Sequence, residues 1–86
     1  MKIVFTEIAW DEYLYWSTQD KRTITKINRL IKSICSNGIL EGEGKPEKLR
    51  YHEGYSRRID SKNRLVYFVR DNNLYLISCK GHYDDR

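Results

Sequence analysis

The chain has 86 residues, enough for one domain (1–86) with a modest core and marginal stability of its own. Apolar residues make up 40% and aromatics 13%, with seven tyrosines and one proline, which excludes a disordered or low-complexity chain. The net charge of +4 is unevenly spread: residues 1–20 carry Lys2 against four acids, whereas residues 21–86 carry fifteen bases against eight acids. Such segregation favours a polyanionic partner, although scattered surface lysines would give the same total.

Residues 2–5 (KIVF) read as a short strand of β-branched and aromatic residues. Thr6 is a good cap for a helix starting near Glu7, whose carboxylate suits the positive end of the helix dipole. Trp10, Tyr13, Leu14 and Trp16 recur at helical spacing and are read as core. Asp20 can cap a second helix running to about Asn37, with Ile24, Ile27, Leu30, Ile31, Ile34 and Cys35 as its apolar stripe. Asn37-Gly38 supplies a stop.

Beyond Gly38 the helical period is lost. Residues 38–47 (GILEGEGKPE) are loop-like. Short strands are expected at Lys48–Tyr51 and Tyr55–Ile59, and stronger ones at Arg64–Arg70 and Leu74–Lys80, with a connection around Asp71-Asn72-Asn73. The predicted order is β-α-α-β-β-β-β, an α+β fold with two helices packed on a mostly antiparallel sheet.

Cys35 and Cys79 are too few for a disulfide scaffold, and neither has a Cys or His at metal-ligand spacing. Both thiols are expected reduced and mostly buried, with no metal or cofactor. The first ten residues meet charge within seven, unlike a signal peptide, and no apolar run approaches the roughly 20 residues of a membrane span. The expected compartment is the cytoplasm.

The segment Lys45–Arg64 holds Lys45, Lys48, Arg50, Arg57, Arg58, Lys62 and Arg64 against Glu47, Glu53 and Asp60. On short strands these bases would form a cationic face, with Tyr51, Tyr55 and Tyr67 available to stack on unpaired bases, or would simply be solvent-facing residues. Glu47, directly after Pro46, is either a salt-bridge partner or a general base. RNA can be cut without metal when its 2′-hydroxyl is deprotonated, fixed positive charge offsets the phosphate, and an acid protonates the departing 5′-oxygen. His82 is the natural acid, since histidine ordinarily titrates near pH 6.5. His52 is its rival, in a His52-Glu53-Gly54 turn that looks exposed.

The stretches WDEYLYW (10–16), DKRTITKINRLIK (20–32), EGEGKPEKLR (41–50), YSRRID (55–60), RLVY (64–67) and CKGHY (79–83) carry a resemblance to the YoeB/Txe toxins. These belong among the RelE-like ribonucleases of bacterial toxin–antitoxin pairs. The resemblance implies a RelE-like fold, cleavage of mRNA on the translating ribosome, and inhibition by an antitoxin of the YefM/Axe kind. It also implies a homodimer contact, for which excess surface aromatics on the first helix would be suited. By position, Glu47 matches the family's base, Arg64 its phosphate-stabilising arginine, His82 its acid and Tyr83 the neighbouring aromatic. Lys45, Arg50 and Arg58 fall at its supporting basic positions, Arg50 standing in for lysine with altered hydrogen-bond geometry. Two departures stand out: Gly81 precedes His82 where a bulkier residue is usual, and Asp84-Asp85-Arg86 extends the chain past the tyrosine. A non-catalytic RNA-binding or antitoxin-binding module would share the same charged face.

Strand alternation forbids Arg57 and Arg58 from facing one substrate together, and the family pattern selects Arg58. A two-residue loop at Asn72-Asn73 would set Arg64 opposite Gly81 and turn His82 away. A three-residue loop, Asp71 to Asn73, would set Arg64 opposite Lys80. The latter register, or a bulge at Gly81 with equal effect, is expected.

Overall fold

The computed structural model describes residues 1–82. Its elements are β1 (Lys2–Phe5), α1 (Glu7–Gln19), α2 (Lys21–Asn37), β2 (Glu47–Lys48), β3 (Tyr55–Arg58), β4 (Arg64–Arg70) and β5 (Asn73–Ser78). This is the predicted order. The sheet runs β1-β5-β4-β3-β2, antiparallel except for β1, which lies parallel to β5 at one edge.

Both helix starts form as the capping residues dictate. Thr6 Oγ1 accepts from the Ala9 N–H at 3.1 Å, and Asp20 Oδ1 accepts from the Arg22 N–H at 3.0 Å. Asp20 also closes α1, so one residue separates the helices. Gly38 ends α2 at φ +113, its N–H bonded to the Ile34 carbonyl. Ile27, Leu30, Ile31 and Ile34 bury the inner stripe of α2 against Leu65, Tyr67, Leu74, Leu76 and Cys79. Cys35, expected in that stripe, lies exposed, whereas Cys79 is buried.

The core reading of α1 needs correction. Ala9 is its only buried residue among those described; Trp10, Leu14, Tyr15 and Ile8 are exposed, while Tyr13 and Trp16 are partly buried. Phe5, Trp10 and Tyr13 instead form an aromatic cluster at the rim, with centroids 5.2–6.0 Å apart. Tyr13 and Trp16 end in polar atoms that find partners, Asn28 and the Cys79 carbonyl, which suits a boundary better than a core.

The helices cover one sheet face only. Tyr55, Leu65, Tyr67 and Val69 point into the core, while Ser56, Arg58, Arg64, Val66 and Phe68 alternate onto the face left open by the helices, where Ser56 and Val66 are nevertheless buried.

Candidate functional site

The open face near β2 holds a compact charged group. Register pairs Glu47 with Ser56, and Ser56 with Val66, so one row crosses three strands. Arg64, two residues from Val66, shares its face. Its guanidinium Nη1 donates to Glu47 Oε1 at 2.9 Å and to Ser56 Oγ at 3.0 Å. The pair is asymmetric: the Arg64 side chain is only 14% exposed, the Glu47 side chain 61%. The cation is anchored and the carboxylate faces solvent. Arg58 lies directly across from Arg64, exposed on the same face.

Arg57 points the other way and is fully buried. Its Nε donates to Tyr67 Oη at 2.9 Å. Its Nη atoms donate to Ser33 Oγ and to the carbonyls of Gly38, Ile39, Glu41 and Glu43 at 2.6–3.3 Å. This guanidinium organises the loop 38–44 that leads to Glu47. Glu43 adds a second tether, accepting from Lys26 Nζ at 2.8 Å and Arg29 Nη2 at 2.7 Å on α2. These two bonds hold its carboxyl down to about 2.

Lys45, exposed and at φ +50, enters β2 two residues ahead of Glu47. Here β2 is two residues long and begins at Glu47, shorter and earlier than the expected Lys48–Tyr51, because a bend over 49–54 follows at once. Arg50 sits in that bend with its guanidinium 5.8 Å from the Tyr51 ring centre. Its rival histidine, His52, is exposed in the same bend. Of the three tyrosines considered for base stacking, only Tyr51 is exposed; Tyr67 is buried in the core and Tyr55 packs against it, their rings 5.8 Å apart. The open face carries a different aromatic pair, Phe68 and Tyr75, stacked at 4.8 Å. Its signal in the sequence was the register of the last hairpin.

That hairpin differs from expectation. Asp71 and Asn72, at φ +52 and +60, make a two-residue turn joining Arg70 to Asn73, so the three-residue loop does not form. A bulge then follows: Tyr67 pairs with Leu76 but Val66 with Ser78, leaving Ile77 as the extra residue. Continued evenly, that offset would set Lys80 opposite Arg64. Instead the Arg64 N–H donates to the Gly81 carbonyl at 3.1 Å, and Gly81 sits at φ +86. The Gly81 N–H in turn meets Asn63 Oδ1 at 2.7 Å. Regular pairing therefore stops at Ser78, and the chain delivers exposed His82 one residue beyond the bond to Arg64. Tyr83 lies outside the described residues.

The structure thus gathers Glu47, Arg64 and Arg58 on one face and brings the backbone before His82 beside them. Two concavities lie elsewhere, beside α2, and neither is lined by Glu47, Arg64, His82, Lys45, Arg50 or Arg58. Among the described residues, no cluster of three or more His, Cys, Asp or Glu could hold a metal ion. No described helix is long and apolar enough to cross a membrane.

Two helices packed on one side of a five-stranded mixed sheet are the α+β architecture of the YoeB/RelE-like toxins. A YoeB dimer structure from Staphylococcus aureus superposes with a TM-score of 0.91 at 50% identity, covering 96% of this chain and 98% of that one. YoeB in a heterotetrameric YoeB–YefM toxin–antitoxin complex from Staphylococcus aureus gives 0.89 at 49%, with the same coverage. Toxin YoeB of Escherichia coli K12 is 46% identical over 85 residues, 96% of this chain and 100% of that protein. Residues 5–83 match the model of the YoeB-like toxins of bacterial type II toxin–antitoxin systems, and the chain belongs to that family.

Proposed function

We propose that this toxin is an mRNA endoribonuclease acting on the translating ribosome in the cytoplasm, restrained by a YefM/Axe-like antitoxin and able to pair with a second copy of itself. The observation that carries the reading is the solvent-facing Glu47 carboxylate 2.9 Å from the anchored Arg64 guanidinium. Glu47 takes the proton from the RNA 2′-hydroxyl. The oxygen attacks the adjacent phosphorus, giving a 2′,3′-cyclic phosphate, and His82 returns a proton to the departing 5′-oxygen. Arg64 meets the charge that builds on the non-bridging oxygens, already fixed by Ser56. Lys45, Arg50 and Arg58 attract and seat the backbone, and Tyr83 supports the nucleotide. No metal takes part.

Glu47→Gln keeps a side chain of the same shape and removes the base. Message ends mapped on programmed ribosomes should vanish with the variant while ribosome binding is retained. His82→Ala should slow cleavage by roughly a hundredfold; a loss under about threefold would remove His82 from the mechanism. A non-catalytic RNA-binding or antitoxin-binding module would leave the message intact with the unaltered chain as well.

A further inference from the structure

The proposed acid lies past the end of the sheet, so something other than strand pairing must hold it. On its outer edge, β5 is paired by β1 only as far as Phe5, opposite Leu76. The Thr6 N–H still donates to the Leu76 carbonyl at 3.0 Å, and the chain then turns into α1. From Ile77 onward the backbone edge meets helix side chains instead of a strand. Thr6 Oγ1 donates to the Ile77 carbonyl at 3.0 Å, the bulged residue. Glu12 Oε1 accepts the Cys79 N–H at 2.7 Å, and Trp16 Nε1 donates to the Cys79 carbonyl at 2.9 Å. Cys79 Sγ points at the Ala9 carbonyl, 3.7 Å away. Lys80 Nζ lies 4.9 Å from the Tyr15 ring centre.

Glu12 and Trp16 are one helical turn apart, so their side chains share a face of α1. Together they satisfy both backbone groups of Cys79. The inner edge of the same ribbon is held at Gly81 by Asn63 and Arg64. Residues 77–81 are thus gripped from both sides, and His82 is next. Gly81 has open space around its α-carbon and a left-handed φ, so it contributes no side-chain packing of its own. The anchor at Cys79 is what fixes where the last residues begin.

We infer that Glu12 and Trp16 are positioning residues for His82, acting by docking the Cys79 peptide groups onto α1. The inference rests on the assignment of His82 as the acid. It explains why the Glu12 carboxylate, which has no basic partner in the described contacts, turns to the sheet and accepts a backbone N–H. Misplacing a reacting group by about 1 Å can cost about a hundredfold in rate, so loss of an anchor three residues away should register.

The test is single-turnover cleavage of mRNA on programmed ribosomes at saturating toxin, with the folded fraction of each variant checked by thermal unfolding. Glu12→Ala should lower the saturating rate by about tenfold or more, with the half-saturating toxin concentration unchanged within about twofold. Glu12→Gln keeps an acceptor oxygen and should restore the rate to within about threefold of the unaltered protein. Trp16→Phe keeps an aromatic side chain, removes the indole N–H donor, and should lower the rate in the same manner if Glu12→Ala does not fold. In a His82→Ala background, Glu12→Ala should cost less than about twofold more, because the anchor then has nothing to position. Multiplicative losses, equal losses for Glu12→Ala and Glu12→Gln, or an unchanged rate for folded Glu12→Ala would each overturn the inference. A His82→Ala variant that cleaves normally would instead remove the acid assignment itself.

Discussion

Arg57 is a buried guanidinium whose described partners are backbone carbonyls, Tyr67 and Ser33, with no carboxylate among them. Its charge is dispersed over dipoles, and Tyr67 Oη itself donates to the Ile39 carbonyl at 2.6 Å. Burial raises the Tyr67 phenol above its ordinary value, against the pull of the adjacent cation, so it stays a donor. Arg57→Ala would take the shared donor from several partly buried carbonyls, each costing up to about 1–3 kcal/mol where water does not replace it. We expect the thermal midpoint to fall by more than about 10 °C, since about 1 kcal/mol shifts a domain this small by roughly 4–8 °C. Cleavage should fall with it, because the freed loop leads to Glu47.

Glu43 gives a pH signature at the same scale. Its folded carboxyl is held to about 2, with Arg29 the largest cause and Lys26 next. The stabilisation is present above the ordinary carboxylate range and is lost as pH falls through that range towards about 2. Both ion pairs are partly exposed, so the whole effect should be about 1 kcal/mol or less. Thermal midpoints of Glu43→Gln should lie a few degrees below the unaltered protein at pH 6, with the gap closing as acid is added. A gap that widened on acidification would reverse the assignment.

Among the elements, the loop 38–46 is the least regular and the most tightly specified. Gly44 sits at φ +91, and a β-carbon there would lie 2.7 Å from Leu30 Cδ2 and 3.2 Å from the Arg58 carbonyl. Its own carbonyl accepts the Arg58 N–H at 2.6 Å. Gly44→Ala therefore combines backbone strain with a clash, and about 2 kcal/mol of destabilisation is expected by chemical unfolding. The helices and β4 were legible in the sequence because caps and periodicity are local signals: Thr6, Asp20 and Gly38 each do what their residue type dictates. The site was half legible. Alternation puts Arg57 and Arg58 on opposite faces and the family resemblance selects Arg58, yet the GKPE motif gives no sign that a buried arginine shapes the loop before it. The last hairpin departs from the expected loop for a physical reason. Asp71 and Asn72 both tolerate left-handed backbone, which makes a tight turn, and the missing residue of register is recovered by a bulge at Ile77 that leaves no compositional mark.

Across the whole molecule, the sheet separates two jobs: one face buries the helices, and the other presents charge. Positive charge is concentrated after residue 20, but fewer of those bases share the site than their number suggests, since Arg57 is internal and Lys26 and Arg29 are paired to Glu43. RNA affinity should accordingly show a shallow salt dependence. Arg58→Ala should weaken RNA binding and reduce the slope of log affinity against log salt by about 0.7, one phosphate contact on a single strand. An unchanged slope would place Arg58 outside the RNA path. The exposed apolar residues Trp10 and Leu14, one turn apart on α1, are of the sort that self-association covers.

In the resting toxin one nitrogen of the arginine's fork is already engaged. Glu47 holds that nitrogen, so a phosphate reaching for it competes with a carboxylate, and displacing the carboxylate frees the oxygen that the proposed chemistry uses as a base. Because the carboxylate of the pair faces solvent, the contact is worth on the order of 1 kcal/mol, and the latch is light. Under the proposed chemistry it yields to a strand held firmly in place by a larger machine, while a loose transcript that only brushes past leaves the two charges neutralising one another.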